Sequence, residues 1–218
     1  MGAAASEILQ ASGIRGGLVV HVGCGDGTLT AGLRANERYL VHGLDRDVQE
    51  ARQQLRKNGH YGQVSAAAFD GRHLPYVDNL VNLLVVSNSY QVPDDEFTRV
   101  LVPGGVLLKQ GDSSPADGSK CRLAGWTKVV KPRSSRLDEW SHHLHEADNN
   151  AVAHDTVVGP PRRLKWTCGP LWARSHEFLS SLSAMVSADG RLFYIFDEGL
   201  TSITDPRIPE RWTLIARD

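Results

Sequence analysis

The chain has 218 residues, 41% of them hydrophobic and 22% charged, with a net charge of -1. Such values belong to an ordinary globular chain of one large or two modest domains. Near-neutral charge gives no reason to expect nucleic acid or an anionic membrane as partner, and no apolar run approaches the ~20 residues of a membrane span.

The N-terminus, MGAAASEILQASGIRGG, has no basic n-region and no apolar core, so no signal peptide is expected and a cytoplasmic location follows. Gly2 and Ser6 fit a loose myristoylation pattern, which we attribute to chance. Cys24, Cys121 and Cys168 are odd in number and far apart. They suggest neither a disulfide framework nor a zinc knuckle, and a reducing compartment is the default.

Ala3 to Ser12 reads as a short helix stopped by Gly13. Leu18 to Val22 is a mostly β-branched run, the pattern of a strand buried on both faces of a parallel sheet. Gly23, Gly25 and Gly27 follow at alternate positions, and Thr28, Leu29, Thr30 and Leu33 then run at helical spacing. Strand, glycine turn and helix make a ligand-cradling corner, where glycines let backbone approach a ligand and helix-start N–H groups face it.

A dinucleotide fingerprint reads G-x-G-x-x-G, but here the spacing is G-x-G-x-G with Asp26 between the last two glycines. A carboxylate beside a pyrophosphate would be repulsive, which disfavours a nicotinamide-dependent reductase. The loop resembles the nucleotide loop of class I methyltransferases that use S-adenosylmethionine, a sulfonium ligand without phosphate. The bland alternative is a glycine-rich turn with no ligand.

Tyr39 to Leu44 is a second strand ending at Asp45, and Asp47 to Asn58 a helix stopped by Asn58-Gly59. Asp45 lies about 20 residues past the glycine loop, where a doubly wound sheet brings a carboxylate to both ribose hydroxyls. Its bland alternative is a surface cap before a helix. Val64 to Phe69 reads as a third strand, Asn79 to Val86 as a fourth, and Pro93 to Val100 as a brief helix. Pro103-Gly104-Gly105 is expected to turn into a fifth strand, Val106 to Lys109. Strands alternating with helices argue for an α/β, Rossmann-like, doubly wound and mostly parallel sheet.

Further landmarks carry the resemblance over residues 16 to 109. They are Phe69-Asp70-Gly71, Leu74-Pro75-Tyr76, Asp78 to Asn82, and Leu101 to Leu108. The resemblance implies an S-adenosylmethionine-binding protein that passes a methyl group to an unknown acceptor. It implies that Gly23, Gly25 and Gly27 line methionine and ribose, Asp45 the ribose, and Asp70 with Gly71 the adenine edge. His21, Cys24, Asp26, Arg46 and Ser87 complete the implied cofactor set, and Asn88 and Tyr90 are the acceptor-side candidates. Three departures stand out. His21 replaces the acid that usually ends the first strand and holds the methionine ammonium. Ser87-Asn88-Ser89-Tyr90 lacks the prolines of Asn-Pro-Pro-Tyr. Only Gly125 to Lys131 offers a strand after the fifth, so the sheet is expected to be truncated at its C-terminal edge. An alternative function is a non-catalytic, degenerate nucleotide fold that docks a β-propeller.

Residues 1–132 are therefore expected to form the cofactor domain and 133–218 a different, β-rich segment. Trp140, Trp166, Trp172 and Trp212 lie in the second part, with a hairpin signal at Ala188-Asp189-Gly190 and a strand candidate at Trp212 to Ala216. Leu137 to Arg162, with Gly190 to Tyr194 and Leu214 to Asp218, resembles the entry to a quinoprotein-like β-propeller. The resemblance implies an incomplete blade, a longer protein, and packing against further blades absent from this chain. His142, His143, His145 and His154, near Asp138, Glu139, Asp148 and Asp155, have chemistry suited to zinc or copper. Their spacing fits no closed zinc pattern, and the sequence assigns no metal.

Overall fold

A computed structural model describes residues 2–111, 123–160, 164, 167, 181–201 and 207–217. Cys121, Cys168, Trp166, Trp172, Pro161, Arg162 and Asp218 lie outside the described residues. The chain divides into two compact units, Met1–Arg133 and Ser134–Asp218.

In the first unit, α1 (Ala3–Ser12) ends where Gly13 turns left-handed and its N–H reaches Leu9 O. Five strands then follow: β1 (Gly17–Val22), β2 (Tyr39–Asp45), β3 (Val64–Ala68), β4 (Val81–Val86) and β5 (Leu101–Gln110). Between them come α2 (Thr28–Gly32), α3 (Gln49–Lys57) and α4 (Asp94–Val100), and β6 (Trp126–Val130) closes the unit. Among the described residues the sheet order is β3-β2-β1-β4-β5-β6. The β1–β5 pairings are parallel, and β6 is antiparallel to β5.

Alternation along β1 explains why its run is apolar on both faces, with His21 the one polar member. Val19 faces one core with Val41, Leu83, Ile8, Ala51 and Leu55, while Val20 and Val22 face a second with Leu44, Leu84 and Phe97. Both faces are covered, so every β1 side chain from Val19 to Val22 is buried. Fully burying each such aliphatic or aromatic group contributes about 1.5–3 kcal/mol.

The fifth strand departs from expectation. Pro103-Gly104-Gly105 lies inside β5 rather than ahead of it. The β4–β5 register jumps from Val81↔Leu101 to Leu83↔Val106, so these residues form an irregularity within the pairing. Gly104 N–H donates to Lys131 O, and Lys131 N–H to Gly105 O, which satisfies the interrupted backbone from the β6 side. The fourth strand also starts later than expected, because Asn79 is left-handed (φ 55) and cannot begin a ladder.

The second unit, within its described residues, holds a three-stranded antiparallel sheet, β7-β8-β9. Its strands are β7 (Leu182–Ala188), β8 (Arg191–Asp197) and β9 (Trp212–Arg217). Asp189 (φ 49) and Gly190 (φ 77) both take positive φ at the β7–β8 turn, as a right-twisted two-residue hairpin requires. No helix among the described residues is long and apolar enough to cross a membrane.

Candidate functional site

The order in which strands are added reverses at β1, with β2 and β3 laid down on one side and β4 and β5 on the other. In open α/β sheets ligands bind outside the carboxyl ends of the strands at such a switch point. The sequence-selected residues gather there. Gly23 to Gly27 follow β1, Asp45 ends β2 with Arg46 just after it, Asp70 and Gly71 follow β3, and Ser87 to Tyr90 follow β4.

The three glycines have separate reasons to be glycine. A Cβ on Gly23 (φ 80) would sit 2.7 Å from Asn88 N, so that position is fixed by close packing against the β4 turn. A Cβ on Gly27, which caps α2, would meet Ala51 Cα at 3.2 Å. Gly25 (φ 50) differs, because a Cβ there would meet nothing within 4 Å. Of these three, Gly25 alone has its missing side chain directed at open space.

Asp45 organises the corner. Its Oδ2 accepts from Gly25 N–H at 2.9 Å, and its Oδ1 from Arg46 N–H at 2.8 Å and from the Tyr90 hydroxyl. Burial, then the Asp45 carboxylate, pushes the Tyr90 hydroxyl well above the ordinary phenol range. The Arg46 guanidinium lies over the Tyr90 ring, 5.2 Å from its centroid, and Phe69 meets that ring edge-on at 5.5 Å. Gly71 makes room for this stack: a Cβ there would lie 3.0 Å from Arg46 Nε. A phenol so hard to ionise, already donating to a carboxylate, is unsuited to general-base work near neutral pH.

His21 does not take the role of the acid it replaces. Its Nδ1 pairs with Thr30 Oγ1 at 2.8 Å and its Nε2 with Ser87 Oγ at 2.9 Å. The residue is 2% exposed, and burial lowers its pKa to about 4, against a smaller opposing pull from Asp45. A neutral imidazole with both nitrogens bonded to protein ties α2 to the β4 tip, and Ser87 is its partner there. Sequence reasoning missed Thr30. The signal was its place one helical turn into α2, facing inward.

One of the expected helix-start donors is also spoken for. Thr28 N–H donates to Asp26 Oδ1 at 2.9 Å, and Thr28 Oγ1 donates to Oδ2 at 2.8 Å. These bonds hold the Asp26 carboxyl below its usual pKa. Asp26 therefore closes the start of the five-residue α2, and the expected row of N–H groups toward a ligand is shortened. Cys24, 3% exposed, takes its N–H to Leu44 O at 3.2 Å, and burial pushes its thiol up to about 12.

Asp70 accepts from Arg72 N–H at 2.7 Å and His73 N–H at 2.8 Å through Oδ1. The His73 and then the Arg72 N–H bring its pKa down to about 2. Oδ2 pairs with His73 Nδ1 at 3.3 Å, and an ionised carboxylate keeps acceptor capacity beyond these. Asn88 Oδ1 accepts from Tyr90 N–H at 3.0 Å, so the amide shapes the β4 turn and holds Tyr90 left-handed (φ 48).

Fold and corner together define an α/β protein with glycine backbone and the Asp26, Asp45 and Asp70 carboxylates gathered at its strand tips. Residues 19–105, all within the first unit, match the family model described as a methyltransferase domain. The chain is 28% identical over 159 residues to the ubiquinone/menaquinone biosynthesis C-methyltransferase UbiE of Vibrio parahaemolyticus, covering 67% of this chain and 56% of that protein. It thus spans about half the length of the curated relative it matches. Among solved structures it is similar to geranyl diphosphate C-methyltransferase of Streptomyces coelicolor (19% identity, TM-score 0.44, 49% of this chain, 44% of that one). It is also similar to the YcgJ protein of Bacillus subtilis (18% identity, TM-score 0.42, 49% and 50%).

In the second unit the histidines separate. His145 Nε2 lies 2.7 Å from Asp138 Oδ2 and His154 Nδ1 lies 3.9 Å from the same oxygen. His142 instead pairs its Nδ1 with Ser141 Oγ at 2.9 Å.

Proposed function

We propose that the first unit binds S-adenosylmethionine at the carboxyl ends of β1 to β4 and presents its methyl group to an acceptor. The observation that carries this reading is the pairing of Asp45 with the Gly25 N–H, beside the one glycine of the loop whose Cβ direction is open. Asp45 sets its carboxylate where a vicinal diol would donate, with acceptor capacity left on Oδ2 beside the Gly25 N–H while Oδ1 is held by Arg46 N–H and Tyr90. Asp70 stands at the neighbouring strand tip with its charge strongly favoured, suited to accept from an amino group. Acidic Asp26, Asp45 and Asp70 around one corner suit a cationic ligand and oppose a pyrophosphate.

Bound there, the cofactor supplies an electrophilic methyl on sulfur. The chain's own contribution is position: the corner holds the ligand so that an acceptor meets it in line at near-attack distance. Tyr90 and Asn88 are committed to Asp45 and to the β4 turn, so they serve the corner's shape and not proton abstraction. With His21 neutral and internally bonded, the β1 tip offers no carboxylate to the methionine ammonium.

Isothermal titration with S-adenosylhomocysteine tests the reading. Micromolar-range binding that Asp45→Ala weakens at least tenfold is expected. No heat at millimolar ligand overturns it.

For the second unit we propose the opening of a quinoprotein-like propeller blade, supported by the β7-β8-β9 meander. The fold of a longer clone extending past Asp218 tests it. Repeated four-stranded units support the reading, and another fold overturns it.

A further inference from the structure

We propose that Asp138, His145 and His154 form a binding site for a divalent transition-metal ion of the zinc or ferrous class. One ligand atom from each residue lies within 4.8 Å of the others. Two imidazoles and a carboxylate are the donor set that such ions take, and calcium or magnesium would prefer oxygen alone. Around a tetrahedral zinc with bonds near 2.0–2.1 Å, ligand atoms stand about 3.4 Å apart. The contacts to Asp138 Oδ2, 2.7 Å from His145 Nε2 and 3.9 Å from His154 Nδ1, straddle that value. The two imidazoles stand nearly perpendicular (84°) with centroids 5.2 Å apart. A shift of well under an ångström in each side chain admits the ion, which takes the place of the proton shared by His145 and Asp138.

The supporting structure is that of a built site. Asp138 Oδ1 accepts from Glu139 N–H at 2.7 Å and Oδ2 from His154 N–H at 2.6 Å, which fixes the carboxylate plane. The His145 side chain is 1% exposed and packs edge-on against Trp140 at 5.2 Å. Trp140 is held to β7 in both directions, its N–H donating to Ser187 Oγ at 3.0 Å and its carbonyl accepting from Ser187 N–H at 2.7 Å. Glu139 Oε1 accepts from Asp189 N–H at 2.9 Å, tying the same loop to the hairpin tip. His154, 65% exposed at its side chain, is the ligand on the solvent side, and three protein donors leave a fourth position for water or an exogenous ligand.

The spacing, six residues then eight between ligands, matches no closed zinc pattern. The fold assembles the set from a loop doubled back on itself by the His142↔His145 bridge.

The test is cobalt titration of the tag-free full chain after chelator treatment, read by visible absorption, with zinc as competitor. We expect one equivalent bound at micromolar affinity or tighter, visible bands of a low-coordinate site, and displacement by zinc but not by magnesium. His154→Ala, at an exposed position that folding tolerates, should weaken cobalt at least 30-fold and abolish the zinc-induced rise in Tm. The double variant His142→Ala/His143→Ala should bind as the parent does. Absence of stoichiometric bands in the parent overturns the proposal. So does parent-like binding by His154→Ala, or loss of binding in the His142→Ala/His143→Ala protein.

Discussion

The Tyr90 hydroxyl donates to Asp45 Oδ1, joining the turn after β4 to the end of β2 across the tip of β1. The phenol thus holds the carboxylate that a ribose diol would use. Removing that competitor without disturbing the ring stack should favour the ligand. For Tyr90→Phe we expect S-adenosylhomocysteine binding tightened roughly 3–10-fold, the equivalent of about 1 kcal/mol for one hydrogen bond. Unchanged or weaker binding by titration calorimetry would show that Tyr90 and the ligand do not share Asp45.

Gly23 and Gly25 should respond in opposite ways to the same alanine. At Gly23 the new methyl meets Asn88 N at 2.7 Å in a left-handed backbone, so the fold bears the cost and Tm should fall by several degrees. At Gly25 the methyl enters open space, so the domain should stay folded at a strain cost of about 1 kcal/mol. Ligand affinity should nonetheless drop tenfold or more, and Gly25→Val should abolish it. Thermal melts set beside calorimetry separate the two effects; equal behaviour of both alanine variants would refute the division of roles.

His21 gives the first unit a signed pH dependence. Its pKa falls from 6.5 unfolded to about 4 folded because burial disfavours the cation. The unfolded chain therefore binds the extra proton between these values, and stability is full above pH 6.5 and lost as pH falls toward 4. The loss amounts to about 3 kcal/mol once pH passes below both values. Urea unfolding at pH 7.5 and 4.5 should show a markedly smaller difference for His21→Gln than for the parent. An identical difference would mean that His21 is protonated in the folded protein.

Arg99 holds the segment leading from β3 into β4. Its guanidinium donates to Glu96 Oε2 at 2.7 Å, Asp78 Oδ1 at 2.6 Å and Tyr76 O at 2.9 Å, while Glu96 Oε1 accepts from Leu74 N–H at 2.8 Å. Arg99→Met strands several of these groups at once and should destabilise the unit by about 2–3 kcal/mol, measured by urea denaturation. A change below 0.5 kcal/mol, the usual size for an uninvolved surface position, would reduce it to a solvated ion pair.

How much of this was legible beforehand depended on the range of the contact. Runs such as Leu18 to Val22, apolar on both faces except for His21, announce strands buried on both faces. Asp189-Gly190 announces a hairpin because its two positive φ values suit few residues. Pro103-Gly104-Gly105 misled, since turn residues also serve an irregularity inside a paired strand, and only the Lys131 backbone partner distinguishes the cases. The corner's residues were legible as positions but not as partners. Asp45 and Tyr90 lie 45 residues apart, and His21 and Ser87 lie 66 apart. No local pattern encodes such bonds. Asp138, His145 and His154 likewise became a set only through the fold of their loop.

Cys24 carries a practical consequence of the way the corner is packed. Its side chain fills the space beside Gly43, where a Cβ would lie 2.9 Å from its own, and its thiol is pushed up to about 12. In the closed corner almost none of it is thiolate at neutral pH, so alkylating reagents should pass it by. Any excursion that lifts the glycine loop from β2 would expose and ionise it. Peptide-resolved alkylation of Cys24 is thereby a clock for the breathing of the corner, and a ligand that clamps the loop should slow it.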